Sequence, residues 1–305
     1  MITKIWKPWF IHRPSQIFRR IARIFYPPKS GVVPLLTSWG GTIYADPTRN
    51  RGYAISTTGL YDLAVSEAMV RLIEPGSLVI DGGANIGYMT VLGAVATGPK
   101  GVVLAFEPHP QLFKELQRNI NEVSRRNNVG TVFAHPKALG PEQTTAKLYV
   151  PVDFENNDGI SSLIASETKE NSSVNVGVET LDDVIGDRNV SVLKLDIEGY
   201  EPQALRGTTN ALVEKRIKHI IFEDHELGKG EAATMLKVMG YEIFALGWSM
   251  AGPLVQPANK GHLSKAYESA NYIATLDQFE LEKSFQKKGW NVLSIPSNYG
   301  FRLHV

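Results

Sequence analysis

The sequence predicts an α/β fold in which helices cover both faces of a mostly parallel β-sheet. Short apolar runs recur along the chain, and several of them end in an acidic residue. The segments between many of these runs carry apolar residues at helical spacing. Strands that are buried on both faces are continuously apolar, and they alternate with crossover helices in parallel sheets. The alternation therefore favours an α/β sheet over an all-α or all-β fold.

The strands of this sheet are expected where the apolar runs lie. They are predicted at residues 78–81, 102–106, 131–134, 192–196, 217–222, 241–246 and 271–275. The last two have no full helical crossover between them, only a long connection through residues 247–270. This ending suits an antiparallel final strand at the edge of the sheet. Shorter strands are expected at 33–36, 42–45, 146–150 and 175–178, and a helix at 60–73.

Composition limits the classes of protein that the chain can represent. Its 305 residues are 43% hydrophobic, which suits one large domain with attachments or two small ones. A net charge of +1 gives no overall field that would favour nucleic acid. The absence of cysteine excludes disulfides, cysteine-bound zinc and thiol catalysis, and it fits a cytoplasmic protein. No run of about 18 apolar residues predicts a transmembrane helix.

The N-terminal segment differs in charge from the rest of the chain. It carries seven Lys and Arg residues before the first acidic residue, Asp46. Apolar residues recur at helical spacing from Ser15 to Phe25, with Arg19, Arg20 and Arg23 opposite them. Such a helix can lie on an anionic membrane surface, or its apolar stripe can pack on the core. We predict a basic appendage at 1–45, a main domain at 46–276 and a C-terminal extension at 277–305.

The turn after the strand at 78–81 is the first candidate binding site. The strand ends at Asp81, and small residues follow up to the helix that begins near Tyr88. A dinucleotide-binding turn would place glycine at 82, 84 and 87, but residue 84 is alanine. The alternative is the turn that holds the amino-acid end of S-adenosylmethionine. In either case the candidate residues are Asp81, Gly83, Ala84, Asn85 and Gly87.

Two further segments suit a cofactor that contains a nucleoside. Glu107 ends the strand at 102–106, where a carboxylate can accept hydrogen bonds from both ribose hydroxyls. Ala138 and Leu139 follow the next strand, where small apolar residues can contact an adenine ring. These positions suit both NAD and S-adenosylmethionine and do not discriminate between them.

Polar residues after the later strands are candidates for acceptor binding and catalysis. Asp196 and Glu198 follow the strand at 192–196, and Glu223 and His225 follow the strand at 217–222. His225 is a candidate general base, although a solvated loop histidine fits the same pattern. The carboxylates suit Mg²⁺ chemically, but their spacing defines no geometry, so we expect a metal-independent site. The polar segment at 151–173 is long enough to be an acceptor-binding loop or a lid.

With these motifs, the chain resembles the FkbM family of S-adenosylmethionine-dependent methyltransferases. The resemblance spans residues 60–226 and departs from the family pattern at Asp62 and Gly82. The matching stretches are Val79–Gly87, Ala105–Pro108, Gly159–Leu163, Thr180–Asp183, Leu193–Glu201, Leu205–Gly207 and Ile220–Glu223.

The resemblance implies both a fold and an activity. The fold is a class I methyltransferase (Rossmann-like) sheet of seven strands, mostly parallel, with an antiparallel edge strand. The activity is O-methylation of a hydroxyl on a sugar, glycan, glycolipid or other metabolite, with S-adenosylmethionine as the cofactor. By the same resemblance Asp196 contacts cofactor or acceptor and joins His225 as a catalytic candidate. The implied acceptor-binding residues are Ser161, Ser162, Glu198 and Glu223.

Two competing functions remain open at this stage. One is an NAD-dependent oxidoreductase or epimerase, which Ala84 and the strand-pair ending disfavour. The other is a membrane-peripheral binding protein that keeps the fold without turnover. We expect a cytoplasmic enzyme, with peripheral membrane contact through the N-terminal segment as one interpretation of its charge. The sequence does not predict the oligomeric state.

Overall fold

A computed structural model describes residues 7–12, 14–150, 163, 172–263 and 270–294. Its helices are α1 (Pro8–His12), α2 (Ser15–Phe25), α3 (Asn50–Thr58), α4 (Leu63–Leu72), α5 (Tyr88–Thr97), α6 (Pro110–Val123), α7 (Leu181–Ile185), α8 (Glu201–Arg206), α9 (Thr209–Val213), α10 (Glu231–Val238), α11 (Gln278–Gln286) and α12 (Asn291–Ser294). Its strands are β1 (Val33–Leu36), β2 (Thr42–Ala45), β3 (Leu78–Gly82), β4 (Val102–Phe106), β5 (Thr131–His135), β6 (Lys137–Leu139), β7 (Thr144–Val150), β8 (Ser172–Glu179), β9 (Val190–Leu195), β10 (Ile217–Glu223), β11 (Glu242–Ser249), β12 (Gly252–Pro257) and β13 (Asn271–Thr275).

The main sheet contains eight strands in the order β12-β11-β13-β10-β9-β3-β4-β5. Strands β5, β4, β3, β9 and β10 are parallel neighbours. Strand β13 is antiparallel to β10 on one side and to β11 on the other. The order reverses between β3 and β9, and open α/β sheets bind ligands at the carboxyl ends of the strands beside such a point. The predicted α/β class I fold is confirmed.

Two details at the end of the sheet differ from the prediction. The antiparallel strand β13 lies inside the sheet, because β10 pairs with it on one side and β11 on the other. The edge is instead β12, an eighth strand that pairs antiparallel with β11 inside the predicted long connection. Pro253 and Pro257 lower the strand propensity of this segment, so the sequence did not indicate a strand here. Proline is nevertheless tolerated in an edge strand, because its missing N–H removes no hydrogen bond between strands.

A smaller three-stranded sheet packs beside the main one. Strand β8 pairs parallel with β6 and antiparallel with β7. Ala138, Leu148, Val176 and Val178 form its buried apolar cluster. The predicted strands at 146–150 and 175–178 are confirmed as parts of β7 and β8. Pairing with β8 holds β6 and β7 together at the carboxyl end of β4.

Helix α3 lies where the sequence predicted only irregular and β structure. Residues 50–58 contain glycine, serine and two threonines, all poor helix formers, so propensity gave no sign of it. Gly52 allows the helix to pack against the preceding turn, since a Cβ there would lie 1.9 Å from the Asp46 carbonyl oxygen. Helix α3 also brings the buried side chain of Arg51 toward the carboxyl edge of the sheet.

A buried ion pair connects α4 with the C-terminal helices. The Glu67 carboxylate is fully buried and accepts hydrogen bonds from Arg71 Nε at 2.7 Å and from the backbone N–H groups of Asn291 and Val292 at 3.0 Å. Arg71 also donates to the carbonyl oxygens of Ser284, Lys287 and Gly289. The side chains of Leu281, Phe285, Trp290, Val292 and Leu293 belong to the same core as α4 and α5. The boundary predicted at residue 276 stays a prediction.

We expect Glu67→Ala to lower the free energy of unfolding by about 3–5 kcal/mol, because it leaves a buried guanidinium without its carboxylate. The matched control is Glu122→Ala, which breaks the exposed helical pair of Glu122 and Arg125, whose arginine side chain is 74% exposed. An exposed pair of this kind contributes about 0–1 kcal/mol. Urea denaturation of both variants measures the difference, and equal losses would contradict a stabilising role for the buried pair.

The N-terminal helix α2 is present from Ser15 to Phe25, as predicted. Its orientation excludes one of the two interpretations, because the apolar stripe does not pack on the core. Phe18, Ile24 and Phe25 are more than 70% exposed, while Arg23 faces the body of the protein. Within the described part of the chain, no helix has the length and hydropathy to span a bilayer.

Candidate active site

The turn after β3 is shaped by glycines and by one strained asparagine. Gly83, Asn85 and Gly87 all have positive φ values, of 71°, 50° and 89°. A Cβ on Gly83 would lie 1.9 Å from the Asp196 carbonyl oxygen, so only glycine fits where the β3 and β9 turns touch. The backbone N–H of Asn85 points to a carboxylate oxygen of Glu107 at 2.8 Å. The turn is therefore fixed by its two neighbouring strands.

Asp81 is fully buried beneath this turn and does not line a cavity. One carboxylate oxygen lies 3.1 Å from Lys194 Nζ, and the other accepts a 2.6 Å hydrogen bond from the Thr90 hydroxyl. These contacts position the turn, and the predicted contact of Asp81 with a cofactor stays a prediction. Ala84 and Gly87 also lie outside the cavity wall.

Lys194 is the centre of the charge network at the carboxyl ends of β3 and β9. Its ammonium donates to the Gly83 carbonyl oxygen at 3.0 Å, and it lies 3.1 Å from Asp81 and 3.5 Å from Asp196. Burial lowers the pKa of Lys194, but the charges of Asp81 and Asp196 outweigh burial and raise the pKa above its ordinary value. Sequence reasoning missed this residue, although a lysine inside the apolar strand β9 was visible.

Glu107 ends β4 at the wall of the first cavity. Its two oxygens accept backbone hydrogen bonds from Asn85 and His109, both at 2.8 Å. Burial raises the pKa of Glu107 to about 7, more than these hydrogen bonds lower it. Each carboxylate oxygen has two lone pairs, so both can still accept a hydrogen bond from a ribose hydroxyl.

The first cavity lies at the carboxyl ends of β3, β4 and β9, beside the small sheet. Apolar side chains of the small sheet form one wall, and carboxylates form the other. Six of the predicted cofactor residues line it: Gly83, Asn85, Glu107, Ala138, Leu139 and Asp196. Arg51, Leu148, Leu163 and Tyr200 also line it and were not predicted.

A second cavity of about 190 Å³ adjoins the first. Its polar lining consists of Arg51, Tyr61, Asp62, Lys194, Asp196, Glu198, Glu223, His225 and Asn271. Arg51, Asp196 and Glu198 line both cavities. A molecule in the first cavity would therefore meet a molecule in the second at these three side chains. Arg51, which α3 supplies, could not be inferred from strand ends.

Glu198 stands out among the carboxylates at this junction. Burial, followed by the charges of Asp196 and Glu223, raises its pKa to about 7. Its backbone adopts φ 55°, a left-handed conformation that is unusual for glutamate. Glu201, by contrast, is buried behind the turn and accepts a hydrogen bond from the Ile197 N–H at 2.9 Å. Glu201 therefore holds the turn, and Glu198 faces the cavities.

His225 lies at the outer edge of the second cavity. Its side chain is 67% exposed, and its Nδ1 is 3.6 Å from a Glu223 oxygen. The structure thus brings Asp196, Glu198, Glu223 and His225 to one cavity, with His225 the most exposed. The predicted acceptor residues Ser161 and Ser162 lie outside the described residues, as does most of the segment 151–173. Across the described positions, no group of three or more Asp, Glu and His side chains could hold a metal ion.

The strand order and the paired cavities define a class I methyltransferase-type fold with a cofactor site at its switch point. Residues 81–243, more than half of the chain, match the family model described as the Methyltransferase FkbM domain. The chain therefore belongs to the FkbM methyltransferase family.

Two curated relatives share part of this region. "Methyltransferase 1" of Beauveria bassiana is 29% identical over 187 residues, which are 55% of this chain and 73% of the relative. The "Hexuronic acid methyltransferase AglP" of Haloferax volcanii is 30% identical over 176 residues, which are 54% of this chain and 64% of the relative. The similarity thus leaves a third or so of the Haloferax protein unmatched.

Solved structures with a similar backbone fold include two methyltransferases. One is the methyltransferase FkbM from Methylobacillus flagellatus, with 18% identity, a TM-score of 0.41, and coverage of 74% of this chain and 56% of that chain. The other is an S-adenosylmethionine-dependent O-methyltransferase from Thermotoga maritima, with 15% identity, a TM-score of 0.41, and coverage of 71% and 65%. At this level of similarity neither structure informs on the acceptor.

We expect the affinity for S-adenosylhomocysteine to depend on the ionisation of Glu107. Ribose hydroxyls donate to the carboxylate, so the affinity should fall about tenfold per pH unit below about 7, as the carboxylate is protonated. Glu107→Gln should bind more weakly at neutral pH and lose this pH dependence. Isothermal titration calorimetry on either side of pH 7 makes the measurement.

The matched control is Glu201→Gln, because burial also raises the pKa of Glu201 to about 7. That side chain lies behind the turn, and glutamine keeps an acceptor oxygen for the Ile197 N–H. The control should retain the pH dependence of binding. The ribose contact would be contradicted if the pH dependence of binding persisted in Glu107→Gln and was lost in Glu201→Gln.

Proposed function

We propose that the protein transfers a methyl group from S-adenosylmethionine to a hydroxyl of a sugar, glycan or glycolipid. The observation that carries this proposal is the junction of two cavities at Arg51, Asp196 and Glu198. Methyl transfer requires donor and acceptor to be held in line, with the reacting atoms about 3–3.5 Å apart. Two adjoining cavities with these lining residues in common can hold a donor in one beside an acceptor in the other.

The residues of the first cavity fit a nucleoside-containing cofactor. Glu107 supplies acceptors for ribose hydroxyls, while Ala138 and Leu139 supply an apolar surface for adenine. Gly83 and Asn85 line the cavity at the turn, where the amino-acid end would lie, with Asp196 beside them as a partner for its ammonium group. S-adenosylmethionine is thus favoured over NAD, since Ala84 occupies the position of the middle glycine that a pyrophosphate needs.

The second cavity suits an acceptor with several hydroxyl groups. Asp62, Glu198, Glu223 and Asn271 line it with hydrogen-bond acceptors that hydroxyls can donate to. Arg51 and Lys194 add positive charge on the side of the first cavity. The name of the Haloferax relative states hexuronic acid as its substrate, and Arg51 would be the partner for a sugar carboxylate here. Carboxylates outnumber the basic side chains in this lining, and this favours an uncharged sugar hydroxyl as the acceptor.

Glu198 is the general base that the geometry supports best. It lines both cavities, so a hydroxyl held next to the methyl donor lies next to its carboxylate. A carboxyl with a pKa near 7 is half ionised at neutral pH and accepts a proton more readily than an ordinary glutamate. Asp196 is the alternative at the same junction, and the exposure of His225 makes it the weakest of the three.

The chain's own residues account for the remaining steps. When bound, S-adenosylmethionine supplies an electrophilic methyl group and leaves as a neutral thioether. Lys194 and Asp81 fix the turn against which it binds, and Glu107 orients the ribose. Glu198 accepts the hydroxyl proton while the acceptor oxygen forms the new C–O bond. The apolar wall of Leu139 and Leu148 limits the access of water to the reacting atoms.

Measurements of methyl transfer with a labelled cofactor test the activity. The acceptors should include neutral glycosides, uronic acid glycosides and glycolipids, with calorimetry of S-adenosylmethionine and NAD in parallel. We expect S-adenosylmethionine to bind and NAD not to bind, with transfer to the glycosides that carry free hydroxyls. Binding of NAD alone would overturn the proposal, and transfer to uronic acid carboxylates alone would replace the hydroxyl by a carboxylate acceptor.

We expect Glu198→Gln to lower kcat by about 10²–10⁴-fold, because the carboxylate that accepts the hydroxyl proton is lost. The wild-type kcat should rise with pH to a plateau above about 7, since the base must be ionised. Steady-state rates at saturating cofactor measure both effects and separate them from the binding role of Glu107.

The control for this variant is His225→Gln, which should change kcat by less than about tenfold because the imidazole is largely exposed. Cofactor affinity should remain within a few-fold of wild type in both variants. A large loss of kcat in His225→Gln, with Glu198→Gln little affected, would return the role of base to the histidine.

A further inference from the structure

Helix α2 presents its apolar face to solvent. The exposed side chains on this face are Ile17 (43%), Phe18 (75%), Ile21 (48%), Ile24 (77%) and Phe25 (72%), and Tyr26 follows at 82%. In an ordinary surface helix the apolar stripe faces the core and the charged residues face water. This helix has the opposite orientation.

The arginine face holds α2 in this orientation. Arg23 donates to the Ser56 hydroxyl at 2.5 Å and to the Pro47 carbonyl oxygen at 2.7 Å, and its guanidinium lies 4.5 Å from the centre of the Tyr53 ring. Gln16, on the same face, is 1% exposed. Turning the apolar stripe inward would break these contacts, so the exposed stripe belongs to the folded state.

The helix also lies beside the acceptor side of the active site. A third cavity, lined by Trp9 and Arg20 of the N-terminal segment and by Trp248 of β11, shares residues with the acceptor cavity. The shared residues are Tyr61, Asp62 and Asn271. Helix α2, which carries the exposed stripe, therefore borders a cavity that adjoins the acceptor cavity.

The charge of the segment identifies what covers this face. Residues 1–45 carry seven Lys and Arg and no Asp or Glu. Arg19 and Lys29 are exposed, although the Arg19 guanidinium also donates to the Ser56 carbonyl oxygen on α3 at 3.5 Å. An anionic bilayer complements both properties, because its headgroups attract basic residues and its acyl region takes up apolar side chains. A second copy of the chain on the same face would bring two acid-free basic segments together.

We propose that the exposed face of α2 binds an anionic lipid bilayer and places the acceptor cavity near hydroxyl acceptors anchored in that bilayer. The second half of this statement rests on the proposed function. The first half concerns only the surface of α2 and stands without it.

The test is sedimentation of the full chain with phosphatidylcholine vesicles, with and without phosphatidylglycerol. We expect binding to the anionic vesicles that weakens in high salt. The variant Phe18→Ser, Ile24→Ser, Phe25→Ser should lose at least tenfold in partition coefficient, since these three side chains are the most exposed of the stripe. Its melting temperature should stay near that of wild type.

The matched control replaces three exposed apolar side chains on other elements, Val213→Ser, Val238→Ser and Phe279→Ser, which are 58%, 80% and 76% exposed. This control should bind vesicles as wild type does. Failure of the wild type to bind anionic vesicles, or equal binding by the α2 variant, would overturn the proposal. The proposal would also be overturned if sedimentation equilibrium showed a wild-type dimer that is absent in the α2 variant.

Calorimetry of S-adenosylmethionine on the same samples separates this proposal from the proposed function. The α2 variant should bind the cofactor as wild type does, because no residue of the stripe lines the first cavity. Vesicle binding without cofactor binding would support the membrane-binding surface and contradict the proposed methyltransferase activity. Equal transfer to a lipid-anchored acceptor and its soluble form, by the wild type on vesicles, would overturn the link between docking and acceptor choice.

Discussion

The buried contact of Lys194 with Asp81 and Asp196 is the interaction on which the site depends. It joins the carboxyl ends of β3 and β9 at the point where the strand order reverses. A buried charge costs several kcal/mol unless it is paired, so the buried groups Lys194 and Asp81 require each other, while Asp196 is 33% exposed. The ammonium also donates to the Gly83 carbonyl oxygen and fixes the turn that lines the first cavity. Removing Lys194 would leave a fully buried carboxylate, Asp81, without its charged partner, and the cofactor turn would lose its support.

The same burial explains why carboxyl groups around the junction ionise near neutral pH. Burial raises the pKa of Glu107, Glu198 and Glu201 to about 7, yet the three carboxylates have different surroundings. Glu107 accepts backbone hydrogen bonds from the cofactor turn, and Glu201 accepts one from the turn after β9. Glu198 lies between the cavities, where the charges of Asp196 and Glu223 add to burial. One fold thus produces two positioning carboxylates and one that is suited to accept a proton.

The sequence predicted the features that follow from local pattern. Apolar runs located the parallel strands, and the acids at their ends placed Glu107, Asp196 and Glu198 at one edge of the sheet, because parallel strands share the direction of their carboxyl ends. It did not predict features that depend on tertiary contact. Arg51 reaches the junction from a helix of poor formers, held by the close approach of Gly52 to Asp46. The edge strand β12 was not predicted because its prolines oppose strand propensity, and β13 lies inside the sheet because β11 pairs with it on the side away from β10.

The orientation of α2 shows the limit of periodicity as a guide. An amphipathic pattern states that two faces differ, but it does not state which face is buried. Here the guanidinium of Arg23 finds two oxygen acceptors and an aromatic ring on α3 and the preceding loop, so the basic face can pack inward. Fully burying a side chain such as Phe or Ile contributes about 1.5–3 kcal/mol, and the exposed stripe forgoes much of this in water. A fold that keeps five such side chains in solvent gains that free energy only where another apolar phase covers them. The proposed contact with an anionic bilayer would account for both the free-energy cost of the stripe and the acid-free charge around it.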